Sequence, residues 1–217
     1  EFDGEGMSMI SQFAPQSGSP LYLHATTWKT YTSTLANGTT GFYSQLLPHR
    51  SLSVKEVLAD AKRATTNQID SFARFLPYGS SNLQVGLNIG GQKFPQKAIV
   101  TVAELFAELQ KSQHAFNQLA MNGSINRTQF TKYRSDNSSS ANSLTCKSVI
   151  GFDTEIYDKK GNTIINGQNW SGLNVFAEGY VADDSAGTAL GATVTMNHYV
   201  AHDVIFVISD GVISVRF

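Results

Sequence analysis

The last fifteen residues, DVIFVISDGVISVRF at 203–217, constrain the fold more than any other stretch. Val204 to Ile208 is an unbroken run of branched and aromatic side chains, and Val212, Ile213, Val215 and Phe217 resume the apolar pattern after Ser209-Asp210-Gly211. Such residues favour extended chain, and a Ser-Asp-Gly break between two such runs predicts two strands joined by a tight connection. Apolar runs of this length suit strands covered on both faces, so this part of the chain is expected to be tied into a sheet core or an interface.

The same strand rhythm recurs upstream. Leu21 to Leu35 (LYLHATTWKTYTSTL) is rich in β-formers and is punctuated by ANGTTG at 36–41. From Asn82 to Ile89, Leu83, Val85, Leu87 and Ile89 alternate with polar or small residues before a Gly90-Gly91 turn, and Pro95 and the residues after it are expected to leave that strand. CKSVIGFDTEIY at 146–157, a DKKGN turn at 158–162, GLNVFAEGYVADD at 172–184 and the segment from Gly191 onward supply four or so strands with no helix between them. Only 15% of the residues are charged, while Gly, Ser, Thr and Asn abound, which leans the chain toward a mainly β protein.

Two segments break this rhythm. Thr101 and Glu104 form a capping box, and Val102, Leu105, Phe106, Leu109 and Phe116 fall on one stripe, which predicts a helix over 101–116. Ser53 with Glu56 makes a second capping box, and Val54, Val57, Leu58 and Ala61 share a helical face, so local signals favour a short helix there too. Residues 1–20 read as an extended arm or linker. Residues 117–145 read as a polar loop, with SDNSSSANS at 135–143 its most flexible part.

Composition excludes several functions. A chain of 217 residues is long enough to bury about 70% of the surface its unfolded form exposes. Cys146 is the only cysteine, so neither an internal disulfide framework nor a cysteine zinc knuckle is available, and an intracellular folding site fits best. Sixteen basic residues against seventeen acidic ones, with no Lys/Arg run longer than two, argue against a dedicated nucleic-acid binder. No stretch approaches the roughly 20 apolar residues of a membrane span, and EFDGEGMSMI lacks the order of a signal peptide.

Candidate chemistry is sparse. His198 and His202, with Asp203 beside them, have a spacing that would align two imidazoles on a helix, but the surroundings read as strand and no third ligand is fixed; half-buried strand histidines are the expectation. Asp153 and Glu155 alternate on an expected strand, and a solvent-facing strand edge accounts for them better than a glycosidase pair. Gly90-Gly91 sits in a hairpin without phosphate-loop context. Trp28 and Trp170 are either sugar-stacking platforms or core and interface aromatics, the latter being the commoner case. Asn-x-Ser/Thr sequons occur at Asn37, Asn122, Asn126, Asn137 and Asn169. No catalytic, cofactor-binding or metal-ligating residue is nominated, and no enzyme activity is expected.

One ordered combination is more specific: IGGQKFP at 89–95, a capped helix containing ELFAELQK at 104–111, a polar loop, SVIGFDTE at 148–155, and HDVIFVISDGVISVRF at 202–217. It resembles the carboxyl-terminal half of double jelly-roll major capsid proteins of eukaryotic DNA viruses and virus-like transposons of the Polinton and adintovirus kind, and LLPHRSLSVKEVL at 46–58 is similar to the stretch preceding that region. The resemblance implies an antiparallel β-sandwich jelly roll over 21–217 with one or two short helices in loops, the second barrel of a longer chain. It also implies a strand within 46–63, against the local helix reading, and that conflict stays open at this point. The implied function is a structural one: homotrimers forming pseudo-hexagonal capsomers of an icosahedral shell, assembled inside the host cell into the virion. The implied partners are other copies, neighbouring capsomers and penton or minor capsid proteins, without sequence-specific nucleic-acid binding and without a cofactor. The terminal strands would then be held in the core or against the partner barrel. A carbohydrate- or receptor-binding jelly-roll module is the alternative.

Overall fold

The computed structural model describes residues 20–63, 84–113, 149–155, 166–181, 189–191, 193–209 and 212–216. The expected arm up to residue 19, the whole 117–145 loop, the DKKGN turn, Phe116 and the sequons at Asn122, Asn126 and Asn137 lie outside these residues. The described residues form nine strands and one helix: β1 Leu21–Leu35, β2 Gly41–Leu47, β3 Val54–Arg63, β4 Val85–Ile89, β5 Gln92–Ile99, α1 Val102–Ser112, β6 Ile150–Asp153, β7 Val175–Val181, β8 Val194–Ser209 and β9 Val212–Arg216.

The strand order explains how the chain closes. One sheet runs β1-β8-β3-β6 with β9 also paired to β8, and the other runs β2-β7-β4-β5. Every pairing is antiparallel, and β1 meets β8, β2 meets β7, β3 meets β6 and β4 meets β5. This is a long antiparallel ribbon rolled into two facing sheets, the jelly-roll topology. Leu47, Val57, Leu87, Phe152, Val175, Met196 and Val200 from both sheets are buried together in the core between them.

β3 overturns the helix that local signals favour at 53–61. The register of β3 on β8 shifts between Val54 and Glu56, so Lys55 is the extra residue of a bulge. Val54, Val57, Ala59 and Ala61 are buried. Inserting one residue into a period-two strand turns the Val54 to Val57 interval into three, which imitates a helical face. Ser53 is no N-cap either: its Oγ donates to Asp203 Oδ2 at 2.6 Å and accepts from the Gly167 N–H at 2.9 Å.

The other capping box holds. Thr101 Oγ1 accepts from the Glu104 N–H and Glu104 Oε2 accepts from the Thr101 N–H, both at 3.2 Å, with Leu105 and Leu109 buried behind them. α1 lies on the outer face of β6, where a Cβ on Gly151 would stand 2.3 Å from Ser112 Oγ and 3.2 Å from Leu109 Cα. Only glycine lets the helix come so close. Gly151→Val is expected to cost about 1–3 kcal/mol by forcing α1 off the sheet, read as a lowered urea midpoint.

Gly90 and Gly91, at φ 59 and 89, form the two-residue turn joining β4 to β5, as the hairpin reading requires. Pro95, expected to leave the Asn82–Ile89 strand, lies outside β4 and within its hairpin partner β5. β5 is the edge of its sheet, where a missing N–H breaks no ladder bond.

Candidate functional site

Side chains alternate across a strand, so β8 sends His198 and His202 to one face and Asp203 to the other. The sequence places these three within six residues; the fold separates them into two environments.

On the core face, His198 and His202 are fully buried, deeper than the half-burial expected. The His202 ring lies 4.5 Å, centroid to centroid, from that of His49, which comes from the connection between β2 and β3. His49 Nδ1 is hydrogen-bonded to Tyr31 Oη at 2.9 Å, and its ring stands edge-on to Trp170 at 6.2 Å. Burial brings His49 down to about 4, helped by the charges of His202 and Lys29. Burial likewise brings His198 to about 4 against a hydrogen bond to the Tyr31 backbone, and lowers His202. Uncharged imidazoles buried in the core form a structural cluster. Among the described residues, no three His, Cys, Asp or Glu side chains converge to hold a metal ion. Trp170, 0% exposed, is a core aromatic and no sugar platform. Sequence reasoning missed His49, because Leu-Pro-His-Arg reads as a polar turn and nothing local indicates the ring that covers it.

On the outer face the β3 bulge organises a polar network. With one extra residue at Lys55, both Lys55 and Glu56 project outward while Val54 and Val57 stay in the core. Lys55 Nζ is 3.0 Å from Asp203 Oδ1 and 4.0 Å from Glu155 Oε1. Asp203 also accepts from Thr26 Oγ1 at 3.3 Å. Glu56 pairs in register with Asp153 on β6. Burial pushes Glu56 up to about 7, against a hydrogen bond from Ser112 and with a further push from Asp153 and Glu155. Asp153 does lie on an edge strand as expected, but the Glu155 side chain is largely buried against Lys55 and does not face solvent. Thr26, Trp28, Lys55, Glu56, Ser112 and Glu155 line a cavity of about 230 Å³. Trp28, 49% exposed, stands at this cavity, opposite in character to Trp170. Of the described sequons, Asn37 and Asn169 are both exposed.

A third feature lies at the far end of the sheet. β8 outruns β3, and β9 takes over its free edge from Ile205 to Ser209 while β1 continues along the other edge. Leu21, Ile208 and Ile213 form one cross-strand row, and Leu23, Phe206 and Val215 form the next on the same face. Of the two placements expected for the chain's last strand, core or interface, β9 does not take the first: every residue of it is exposed, with Ile213 at 64% and Val215 at 42%. On this face Leu23, Ile213 and Val215 are exposed, while Leu21, Phe206 and Ile208 are half-buried.

No family model matches this sequence, and no curated protein matches it. Among solved structures, the chain is similar to PBCV-1 VP54, a crystal structure fitted into a cryo-EM reconstruction of the virophage Sputnik. The TM-score is 0.53 at 10% identity, covering 97% of this chain and 54% of that one. A chain of the quasi-atomic model of the PBCV-1 virus capsid matches with the same TM-score, identity and coverage. The mavirus major capsid protein matches at TM-score 0.49 and 9% identity, over 91% of this chain and 41% of its own. This chain thus spans about half the length of PBCV-1 VP54. At such identity the likeness is one of fold, the antiparallel jelly roll.

Proposed function

We propose that this chain, with the fold of a capsid jelly roll, is a structural subunit of a viral or virus-like capsid and catalyses no reaction. The observation that carries this reading is the apolar face shared by β1, β8 and β9, on which Leu23, Ile213 and Val215 are exposed. Exposed apolar strands beside a free sheet edge invite association, and a subunit that spends its life in an assembly turns that liability into an interface. The terminal strand is then held against a partner barrel, as the resemblance implies, and not in the core of its own.

In this reading residues 21–217 form the second barrel of a longer chain, and three such chains close head to tail into a capsomer of an icosahedral virion shell. Neighbouring capsomers and penton or minor capsid proteins are the further partners. The near balance of sixteen basic and seventeen acidic residues suits a wall that does not grip the genome.

Sedimentation of the native product, with mass spectrometry on the fraction that carries this sequence, tests the proposal. Recovery in particles of many megadaltons, in a polypeptide about twice this length, is expected; a small soluble species would overturn it. A second test isolates the surface. Replacing Ile213 and Val215 by Lys is expected to change folding stability by no more than about 0.5 kcal/mol, because both side chains are exposed, while abolishing incorporation into particles.

A further inference from the structure

We propose that the cavity between Trp28, the β3 bulge and the end of α1 binds a single neutral pyranose ring. The two wall types of this cavity match the two surfaces of a sugar. Trp28 is half exposed on β1, flanked by Thr26 and Thr30 on the same face, and offers a flat apolar ring at a cavity otherwise lined by Lys55, Glu56, Ser112 and Glu155. A pyranose has an apolar C–H face suited to an indole and a rim of hydroxyls that both donate and accept. The lining supplies both partners for that rim: carboxylates and hydroxyls accept, and the Lys55 ammonium donates.

Three further observations narrow the ligand. The volume of about 230 Å³ falls below the roughly 300–1,000 Å³ of sites for drug-sized molecules, so it suits one ring. Glu56 Oε1 is buried without a hydrogen-bond partner, and such an acceptor lowers its free energy by taking a donor from outside. The carboxylates of Glu155 and Asp203 alone outnumber the charge of Lys55, which disfavours an anionic sugar. The walls are also fixed in advance, since Asp203 holds Lys55 at 3.0 Å and is itself held by Ser53 and Thr26. The inference is independent of the capsid reading, because it concerns only this cavity.

The chain carries two tryptophans, and Trp170 is wholly buried, so a change in solvent-exposed indole emission reports Trp28. The experiment titrates the chain with methyl glucoside, galactoside and mannoside, N-acetylglucosamine, sialic acid and tetramethylammonium, each to roughly 50 mM, well above a Kd of order 1 mM. At least one neutral pyranose is expected to give a saturable change, with sialic acid weaker. Trp28→Ala, followed by calorimetry, is expected to abolish binding with an unchanged melting curve, and Trp28→Phe to restore part of it. Glu56→Gln is expected to weaken binding about tenfold. Binding of methyl glycosides as tightly as free sugars assigns the site to the terminal ring of a glycan, and binding of reducing sugars alone assigns it to a free sugar. The proposal is overturned if no neutral pyranose saturates the signal, if sialic acid or tetramethylammonium is the preferred ligand, or if Trp28→Ala binds like the parent.

Discussion

Taking the protein from pH 7 to pH 4 is expected to strip away much of its folding stability, and the buried histidines are the cause. His198 is 1% exposed and held at about 4, against an ordinary value near 6.5. Between those two values the unfolded chain binds a proton that the folded chain refuses, so stability falls as pH falls. The contribution is fully present above pH 6.5 and lost progressively down to about 4. For His198 the loss is about 3 kcal/mol. His49, also held at about 4, and His202 act in the same direction. The groups that face the cluster are Tyr31 and Lys29 from β1, while the charge of Asp203 acts on His202 from the opposite face of β8.

Glu56 opposes this trend. Its folded value of about 7 lies above the ordinary 4.5, so its contribution is present at low pH and lost as pH rises through 7. Three imidazoles outweigh one carboxyl, and net acid lability is the expected result. Thermal melts from pH 7.5 to 4 read it directly. His198→Leu should melt at least as high as the parent at pH 7 and decline less steeply toward pH 4, whereas Glu56→Gln should decline more steeply. An unchanged slope in His198→Leu would show that the cluster does not govern acid stability.

Trp170→Ala is expected to destabilise the fold by about 3–5 kcal/mol, the cost of a large buried aromatic replaced by a cavity. The side chain is 0% exposed, its ring packs edge-on against His49, and its Nε1–H donates to Gln168 Oε1 at 3.3 Å. For a chain of this size each kcal/mol lowers Tm by roughly 2–4 °C, so the melt should fall by roughly 6–20 °C. Trp28→Ala, half exposed on β1, should leave Tm within about 2 °C. The two tryptophans, equivalent candidates in the sequence, are thus separated by one pair of melts. Equal losses would contradict the burial described here.

Several parts of the fold were legible without coordinates. The β1 and β4 strands, the α1 helix with its Thr101–Glu104 box and the Gly90-Gly91 hairpin all rest on signals within a few residues of one another. Alternation, capping and positive-φ turns are local physics, and a sequence carries them openly. The tight link between β8 and β9 is of the same kind, with Ser209 paired to Val212.

The misread segments depended on distant neighbours. At 53–61 the bulge at Lys55 gave a strand the spacing of a helix, and only pairing with β8 on one side and β6 on the other makes the extended form the lower in energy. Pro95 is tolerated because, among the described residues, no strand pairs with the outer edge of β5. The candidate site shows the same division. Sequence offered His198, His202, Asp203, Glu155, Trp28 and Trp170 as chemistry, but not which of them meet: His49 joins His202 inside, and Lys55 joins Asp203 and Glu155 outside.

By itself, then, the sequence determined a mainly β chain with a helix capped at Thr101 and apolar runs near residue 217, because those properties follow from side-chain type and short-range spacing, and the same local signals also offered the helix at 53–61 that β3 replaces. The tertiary structure alone decided which face of each strand is buried, and that Val212, Ile213 and Val215 of β9 lie exposed although they are as apolar as residues of the core. Burial is set by what packs over a strand, and short-range spacing does not encode that.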